Sequence, residues 1–426
     1  MRRSATFVFL SAAALGLHAD VGQASEHDKE TAVLEQRIAE LEAVSLRAGD
    51  RKLTMHIYGQ VNQAIVFWDD GFKSGMRVID NDTSSSRFGI MGRTTSRSAP
   101  TVGYRIEFEI DPLSRHSGSG TTTISDGQLH LRHAFVYVDS DRAGRLSLSH
   151  QSPATDDITI INLGSQMNDA ALHHNTNTAI PLAIGGGLVT DLRWGDIAHN
   201  VDALRGNFVR YDTPMLAGFV LSGAWGENDI WDVALRYQAV AAGFRFAGGV
   251  GFMDDRERDF RDVRGSASLI HSQTGLYLSV AGGIRDDDVS VLSAHDTAYF
   301  HYGQVGVSKQ WLPYGKTTIF ADYGLYKNFN VGELLRVDPH TGSLVIWGTL
   351  SQTEVVRWGG GIEQAFDDTG LLLYAQAHRY EATIVGFPCD ANPGNFPNNC
   401  GGDPSNLVEL PTEPWIAVMT GARLKF

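Results

Sequence analysis

Cysteine is almost absent from this chain, with two among 426 residues. That excludes a disulfide-dense scaffold and a four-cysteine zinc site. Basic residues are also short, 35 Lys and Arg against 49 Asp and Glu, for a net charge of −14. A sequence-independent nucleic-acid binder needs a basic face, so no nucleic-acid partner is expected. No apolar run beyond the first residues reaches the ~20 residues of a membrane helix. That absence leaves a membrane barrel open, because its segments are short and alternate. The familiar catalytic signatures are missing. Gly315-Lys316-Thr317 lacks the first glycine of a phosphate loop, position 310 being Gln310, and lies between strand patterns instead of before a helix. There is no nucleophile elbow and no zinc-peptidase motif. His173-His174 has no third ligand at useful spacing. No metal, no cofactor and no enzymatic activity are expected.

What is present begins with a targeting pattern. Arg2 and Arg3 precede an apolar run from Ala5 to Leu17, and Gly22-Gln23-Ala24 leads into Ser25. Basic start, short apolar centre and small-residue site make residues 1–24 a secretory signal. Cleavage after Ala24 leaves 33 basic and 48 acidic residues, a charge of −15. From Lys29 to Arg47 the period is helical, with Leu34, Ile38, Leu41 and Ser45 on a 4-3-4 spacing. Residues 25–52 are therefore expected to form a periplasmic helical segment. It is either a surface amphipathic helix or a short coiled coil joining copies of the chain.

After Leu53 the period becomes two. Ile57, Val61 and Ile65 share one side; Tyr58, Gln60 and Asn62 share the other. Sixteen such segments follow one another to the C-terminus. Their connections sort by length. Gaps at 68–85, 112–127, 151–205, 253–261, 286–298, 328–352 and 383–413 are long, with 226–229 the one short member of that set. The alternate gaps, 96–101, 140–143, 214–216, 240–241, 272–274, 311–314 and 366–369, are tight. Long loops on one rim and short turns on the other mark an outer-membrane barrel. The alternation has the matching sense. Arg105, Glu107 and Glu109 share a face opposite Tyr104, Ile106, Phe108 and Ile110. Trp415, Arg423 and Lys425 oppose Ile416, Val418, Leu424 and Phe426. A charge facing lipid at midplane costs ~2–4 kcal/mol, so the charged face lines a lumen. Sixteen strands are too many for side chains to fill, which implies an aqueous channel. The expectation is an all-β chain: a 16-stranded antiparallel transmembrane β-barrel at 53–426, with the 151–205 segment folded inward as a constriction.

Four local patterns carry a family resemblance. Ser86-Arg87-Phe88-Gly89-Ile90, Arg132-His133-Ala134-Phe135-Val136, Asn207 to Pro214 with Ala217-Gly218-Phe219, and the terminal Ala422-Arg423-Leu424-Lys425-Phe426 occur in order. In this the chain resembles the general diffusion porins of Gram-negative outer membranes, especially the alphaproteobacterial branch. The resemblance implies passive diffusion of small hydrophilic solutes, a homotrimer, and a loop bearing carboxylates opposite clustered arginines. It maps Arg87, Arg132 and Arg210 onto the arginine wall, and Asp156 of Ala154-Thr155-Asp156-Asp157 onto the acidic loop. Gln60 stands where some members carry lysine. Phe426 resembles the terminal aromatic read by the barrel-assembly machinery. The helix at 29–47 is an extension that enteric members lack.

On phase alone, Arg87, Arg93, Arg105, Arg132 and Arg210 point inward, with Glu107 and Glu109 as lumen carboxylates. Facing Asp156 and Asp157, they would set a transverse field across the narrowest point. The other reading pairs each arginine with a neighbouring carboxylate. Cys389 and Cys400 lie in one loop of an exported chain and are expected to form a disulfide. Asp254-Asp255 and Asp286-Asp287-Asp288 are solvated loop residues or sites for divalent cations shared with lipopolysaccharide phosphates. A substrate-specific channel, for saccharides or organic anions, is the alternative function. A saccharide path would need an aromatic track, and although Tyr58 and Trp415 face inward, no continuous track is visible. A barrel enzyme or an adhesin is the third reading. The charge of −15 favours cations at the mouth while the arginines oppose them, so mild cation preference at low salt is expected.

Overall fold

The computed structural model describes residues 44–48, 51–94, 100–111, 128–166, 181–184, 188–198, 205–287, 297–329, 331–337, 344–388, 407–410 and 412–426. Sixteen strands form the wall. They are β1 (Arg51–Asp69), β2 (Arg87–Thr94), β3 (Thr101–Asp111) and β4 (Gln128–Ser140). Next come β5 (Gly144–Gln151), β6 (Gly206–Asp212), β7 (Phe219–Gly226) and β8 (Trp231–Ala241). β9 (Phe244–Asp255), β10 (Phe260–His271), β11 (Leu276–Asp287) and β12 (Thr297–Leu312) follow. The last are β13 (Gly315–Lys327), β14 (Leu344–Phe366), β15 (Leu371–Pro388) and β16 (Trp415–Lys425). Each pairs antiparallel with the next, and β16 returns to β1 with Gln60 opposite Lys425 and Asp69 opposite Ile416. The ring is closed, which removes every edge from the wall. Phe426 completes the seam, its backbone exchanging hydrogen bonds with Gly59 at 2.9 and 3.0 Å.

The sixteen segments read from alternation are the sixteen wall strands. Their outward residues are apolar and exposed, such as Ile57, Val61, Val209, Leu221 and Val305, while Gln60, Asn62, Glu107, Arg264 and Arg357 are buried inside. This inverts a soluble protein and suits lipid outside and a polar lumen. Outward aromatics mark both rims. Tyr211, Phe219, Phe244, Trp311 and Tyr314 lie toward the short turns, and Trp225, Trp231, Tyr323 and Trp358 toward the long loops. The turn between β8 and β9 is a two-residue loop, Ala242-Gly243, with both φ values positive. That is the hairpin geometry whose twist matches the flanking strands.

Three expectations change. Val44–Ala48, the end of the expected helix, is a strand paired antiparallel with Arg51–Met55. A helix of little more than two heptads is marginal alone, whereas these residues gain ladder hydrogen bonds from an adjacent strand. The rest of that helix, 29–43, and the signal at 1–24 lie outside the described residues. The first long gap contains a strand, Ser74–Asp80, that folds back on β1. β14 starts at Leu344, well before the expected 353, and pairs there with Gly332–Val337.

The segment after β5 crosses the lumen side of the wall. Thr155 donates from its backbone N–H and its hydroxyl to Asp232 Oδ2 of β8, at 2.6 and 2.8 Å. Arg264 of β10 donates to Thr155 Oγ1 at 2.6 Å. Farther along, Ile161 and Leu163 N–H groups donate to Ser266 and Ser268 of β10. Asn162 reaches Gln304 of β12 at 2.6 Å, and Gln166 N–H reaches Glu363 of β14 at 2.9 Å. Arg423 of β16 donates to the Gln166 carbonyl at 3.2 Å. Gly251 permits the close approach, since a Cβ there would stand 2.5 Å from Thr155 Cγ2. A later hairpin, Pro181–Ile184 with Leu188–Arg193, leads into the short helix Trp194–Ile197. Trp194 stacks on Trp415 at 5.7 Å and packs on Tyr380. With Leu182, Ile184 and Leu192 it forms an apolar core against the inner faces of β1 and β12–β16.

Candidate functional site

The other side of the lumen is charged. β2–β6, β8 and the first residues of the crossing segment enclose a cavity of about 430 Å³. It is lined by Arg87, Arg105, Arg132, Arg145, Arg205, Arg210 and Arg236 and by Glu107, Asp156, Asp157 and Asp212. The lining holds seven arginines against four carboxylates; Glu109 and Asp139, paired with Arg132 and Arg145 just outside it, offset two of the three excess charges.

Glu107 is the centre of one group. It is 1 % exposed and accepts from Tyr58 Oη at 2.8 Å, Arg105 Nη2 at 2.5 Å and Arg132 Nε at 2.9 Å. Arg132 also donates to Glu109 at 2.7 Å. Its placement comes from a backbone irregularity. Glu107 pairs with His133 and Phe108 with Leu131, so Arg132 is the extra residue of a β-bulge. The bulge lets Arg132 and His133, adjacent in sequence, both face the lumen, as bulges re-aim side chains. Arg210 is the centre of the second group. It grips Asp212 through Nε and Nη2, the latter at 2.8 Å, and donates from Nη1 to the carbonyls of Ser152 and Pro153 at 3.2 and 2.9 Å. This fixes the start of the crossing segment. Asp156 then accepts from the Ser152 hydroxyl and stands 3.5 Å from Arg205.

Of the residues expected at the site, Arg87, Arg105, Arg132, Arg210, Glu107, Asp156 and Asp157 line this one cavity, and Glu109 adjoins it through Arg132. Arg93 does not line it. It sits on β2 opposite Thr54 and Gly103, nearer the short turns. Cys389 and Cys400 lie outside the described residues. The divalent-cation reading of Asp254-Asp255 fails, because Asp254 lies 3.5 Å from Arg261 and Asp255 lies 2.7 Å from Arg258. Among the described residues no cluster of three or more acidic, histidine or cysteine side chains could hold a metal. Arg145, Arg205, Arg236 and Asp212 were not singled out from sequence. Three of them sit on the lumen phase of β5, β8 and β6, where the same alternation test finds them. Arg205 precedes β6 and has no periodic signal.

The profile of the Gram-negative porins matches residues 6–383, most of the chain. The chain belongs to the Gram-negative porin family. This porin is an outer-membrane diffusion channel. No curated protein matches it. Solved structures share its fold at low identity. A loop-deletion mutant of OmpT from Vibrio cholerae is 14 % identical over 88 % of this porin and 99 % of its own chain, with a TM-score of 0.52. An anion-selective porin from Comamonas acidovorans gives 12 %, 88 %, 100 % and 0.52. OprB of Pseudomonas putida gives 10 %, 87 %, 94 % and 0.51.

Proposed function

We propose that the arginine-rich cavity is the constriction of this channel, and that the 151–205 segment narrows the lumen there. The observation carrying this reading is the cavity itself, where Arg87, Arg105 and Arg132 on the wall face Asp156 and Asp157 on the crossing segment. Water and polar solutes cross such a field readily; an apolar solute must displace oriented water. The channel therefore admits small hydrophilic solutes and ions passively and performs no catalysis. A saccharide-specific path is disfavoured, because its two candidate rings are occupied. Tyr58 is tied to Glu107 and Arg105, and Trp415 is fully buried under Trp194. Proteoliposome swelling in solutes of graded size tests the reading. Rates should fall smoothly with size across chemically unrelated neutral solutes; swelling with a single solute class, or with none, would overturn it.

The order and spacing of the sequence patterns favour the alphaproteobacterial branch and a homotrimer in lipid and lipopolysaccharide, with Phe426 read by the assembly machinery. Native gels after mild extraction should give about three times the monomer mass, and a monomer in every detergent would refute the trimer.

A further inference from the structure

The seven arginines of the cavity are not equivalent. Arg105 and Arg132 are tied to Glu107, Arg132 also to Glu109, Arg210 to Asp212, and Arg145 to Asp139 at 2.7 Å. Three others remain open. Among the described residues Arg87 has no carboxylate within 4 Å and makes one long hydrogen bond, 3.4 Å to Ser84 Oγ. Arg236 has no carboxylate within that distance either and donates once, to the Asp156 carbonyl at 2.8 Å. Arg205 has one carboxylate at 3.5 Å, and its Nε is buried with no protein partner. A guanidinium carries five N–H donors in a planar fork, so most donors of these three groups have no protein partner, and all three side chains line the cavity. They come from different elements, β2, the residue before β6, and β8, and so approach a guest from separate directions.

Buried charge that has no partner is costly, and a surplus of one sign draws a counter-charge of the other. The excess of arginine and the open donors occupy the same 430 Å³, a volume within the ~300–1,000 Å³ of small-molecule sites. We propose that Arg87, Arg205 and Arg236 form a binding site for a small doubly charged oxyanion, of phosphate or dicarboxylate type, which the channel concentrates and passes. Charge selects the guest, since attraction to the same surplus doubles from a monoanion to a dianion. Geometry adds to it, since a guanidinium fork meets a carboxylate or phosphate edge with two parallel hydrogen bonds. The tied arginines hold the wall in shape, and the open ones bind. The inference rests on the cavity being the constriction, and it names the solute class that this constriction prefers.

The test is chloride current through the purified porin in planar bilayers. Orthophosphate at pH 8, succinate or acetate is added at matched ionic strength. Phosphate, succinate or both should reduce the chloride current saturably, at concentrations about tenfold below acetate, a difference worth ~1.4 kcal/mol. Phosphate alone would identify a tetrahedral guest, succinate alone a dicarboxylate, and both a site that reads charge. Arg87→Gln, Arg205→Gln and Arg236→Gln should each raise the half-blocking concentration several-fold while retaining chloride current, which reports a folded barrel. Arg258→Gln, outside the cavity, should leave it unchanged. Chloride current that neither dianion blocks better than acetate overturns the site and leaves the channel standing. Block that all three variants retain does the same. Absence of any chloride current in the unaltered protein would overturn the channel reading instead.

Discussion

Exchanging single charges in the cavity should move ion selectivity in opposite directions. Arg87→Gln removes one positive charge from the lining, and Glu107→Gln removes one negative charge. Glu107→Gln keeps the shape of the side chain, and Arg87→Gln replaces the guanidinium by a shorter neutral amide. For an ion ~6 Å from one such charge, Coulomb energy in water is about 0.7 kcal/mol. Screening at 0.1 M salt reduces it to roughly 0.4 kcal/mol, and at 1 M to roughly 0.1 kcal/mol. Anions and cations feel this with opposite sign, so one charge changes their ratio roughly fourfold at 0.1 M and about 1.4-fold at 1 M. The low-dielectric walls make these lower bounds. The unaltered channel, with arginine in excess along the cavity, should therefore favour anions at low salt, which reverses the mild cation preference expected from the acidic sequence. Arg87→Gln should weaken that preference, and Glu107→Gln should strengthen it. Reversal potentials across a tenfold KCl gradient measure both. Shifts of the same sign in the two variants, or shifts that persist unchanged at 1 M, would refute the electrostatic reasoning. Cation preference of the unaltered channel at 0.1 M would show that the acidic loops outweigh the cavity.

Two further variants probe what holds the crossing segment. Asp232→Ala removes the acceptor of both Thr155 hydrogen bonds, each worth ~1.5–3 kcal/mol with a charged partner. Single-channel records should show larger, flickering conductance; steps of unaltered size and noise would mean that the other wall contacts suffice. Trp194→Ala deletes the stack on Trp415 and Tyr380 at a cost of about 3–5 kcal/mol. Limited proteolysis should then cut between 181 and 198 while the barrel's heat resistance is kept, and resistance to cleavage would contradict the assigned packing.

The wall was legible because its physics is local. Alternation between lipid and lumen repeats every two residues, and a charge on the wrong face is penalised, so β1 to β16 could be read one at a time. The loop-length rule then gave the two rims. Events that break the period were illegible. Strict alternation places Arg132 inward and His133 outward, yet the bulge brings both to the lumen. The fold-back of Val44–Ala48 on β1 was hidden by a helical spacing too short to stand alone. Arg205 belongs to no strand, and only the folded segment brings it to Asp156.

One signal in the wall had a meaning that alternation alone does not give. On β12, Ala298, Phe300 and Tyr302 face inward and are buried, as do Tyr374 and Tyr380 on β15 and Trp415, Ala417 and Met419 on β16. A wide aqueous lumen gives no reason for apolar inner residues, because nothing but water would cover them. They cluster on β1 and β12–β16, and the hairpin carrying Leu182, Leu192 and Trp194 covers them. The charges that line the cavity cluster on β2–β6 and β8, whereas Arg264 with Asp262 on β10, and Arg357 with Asp322 and His378 on β13–β15, are buried ion pairs. The inner face is thus divided. One side anchors the inserted segment and keeps its few charges paired and buried, and the other turns its charges to the cavity. Filling the anchoring side leaves the other as the place where solute and protein meet. Seven arginines then act across a small cavity instead of being diluted around a wide ring. Strand phase finds the apolar inner residues on β1 and β12–β16, but it also finds inner charges such as Asp322 and Arg357 among them; the hairpin that covers that side is what separates the buried pairs from the charges of the cavity.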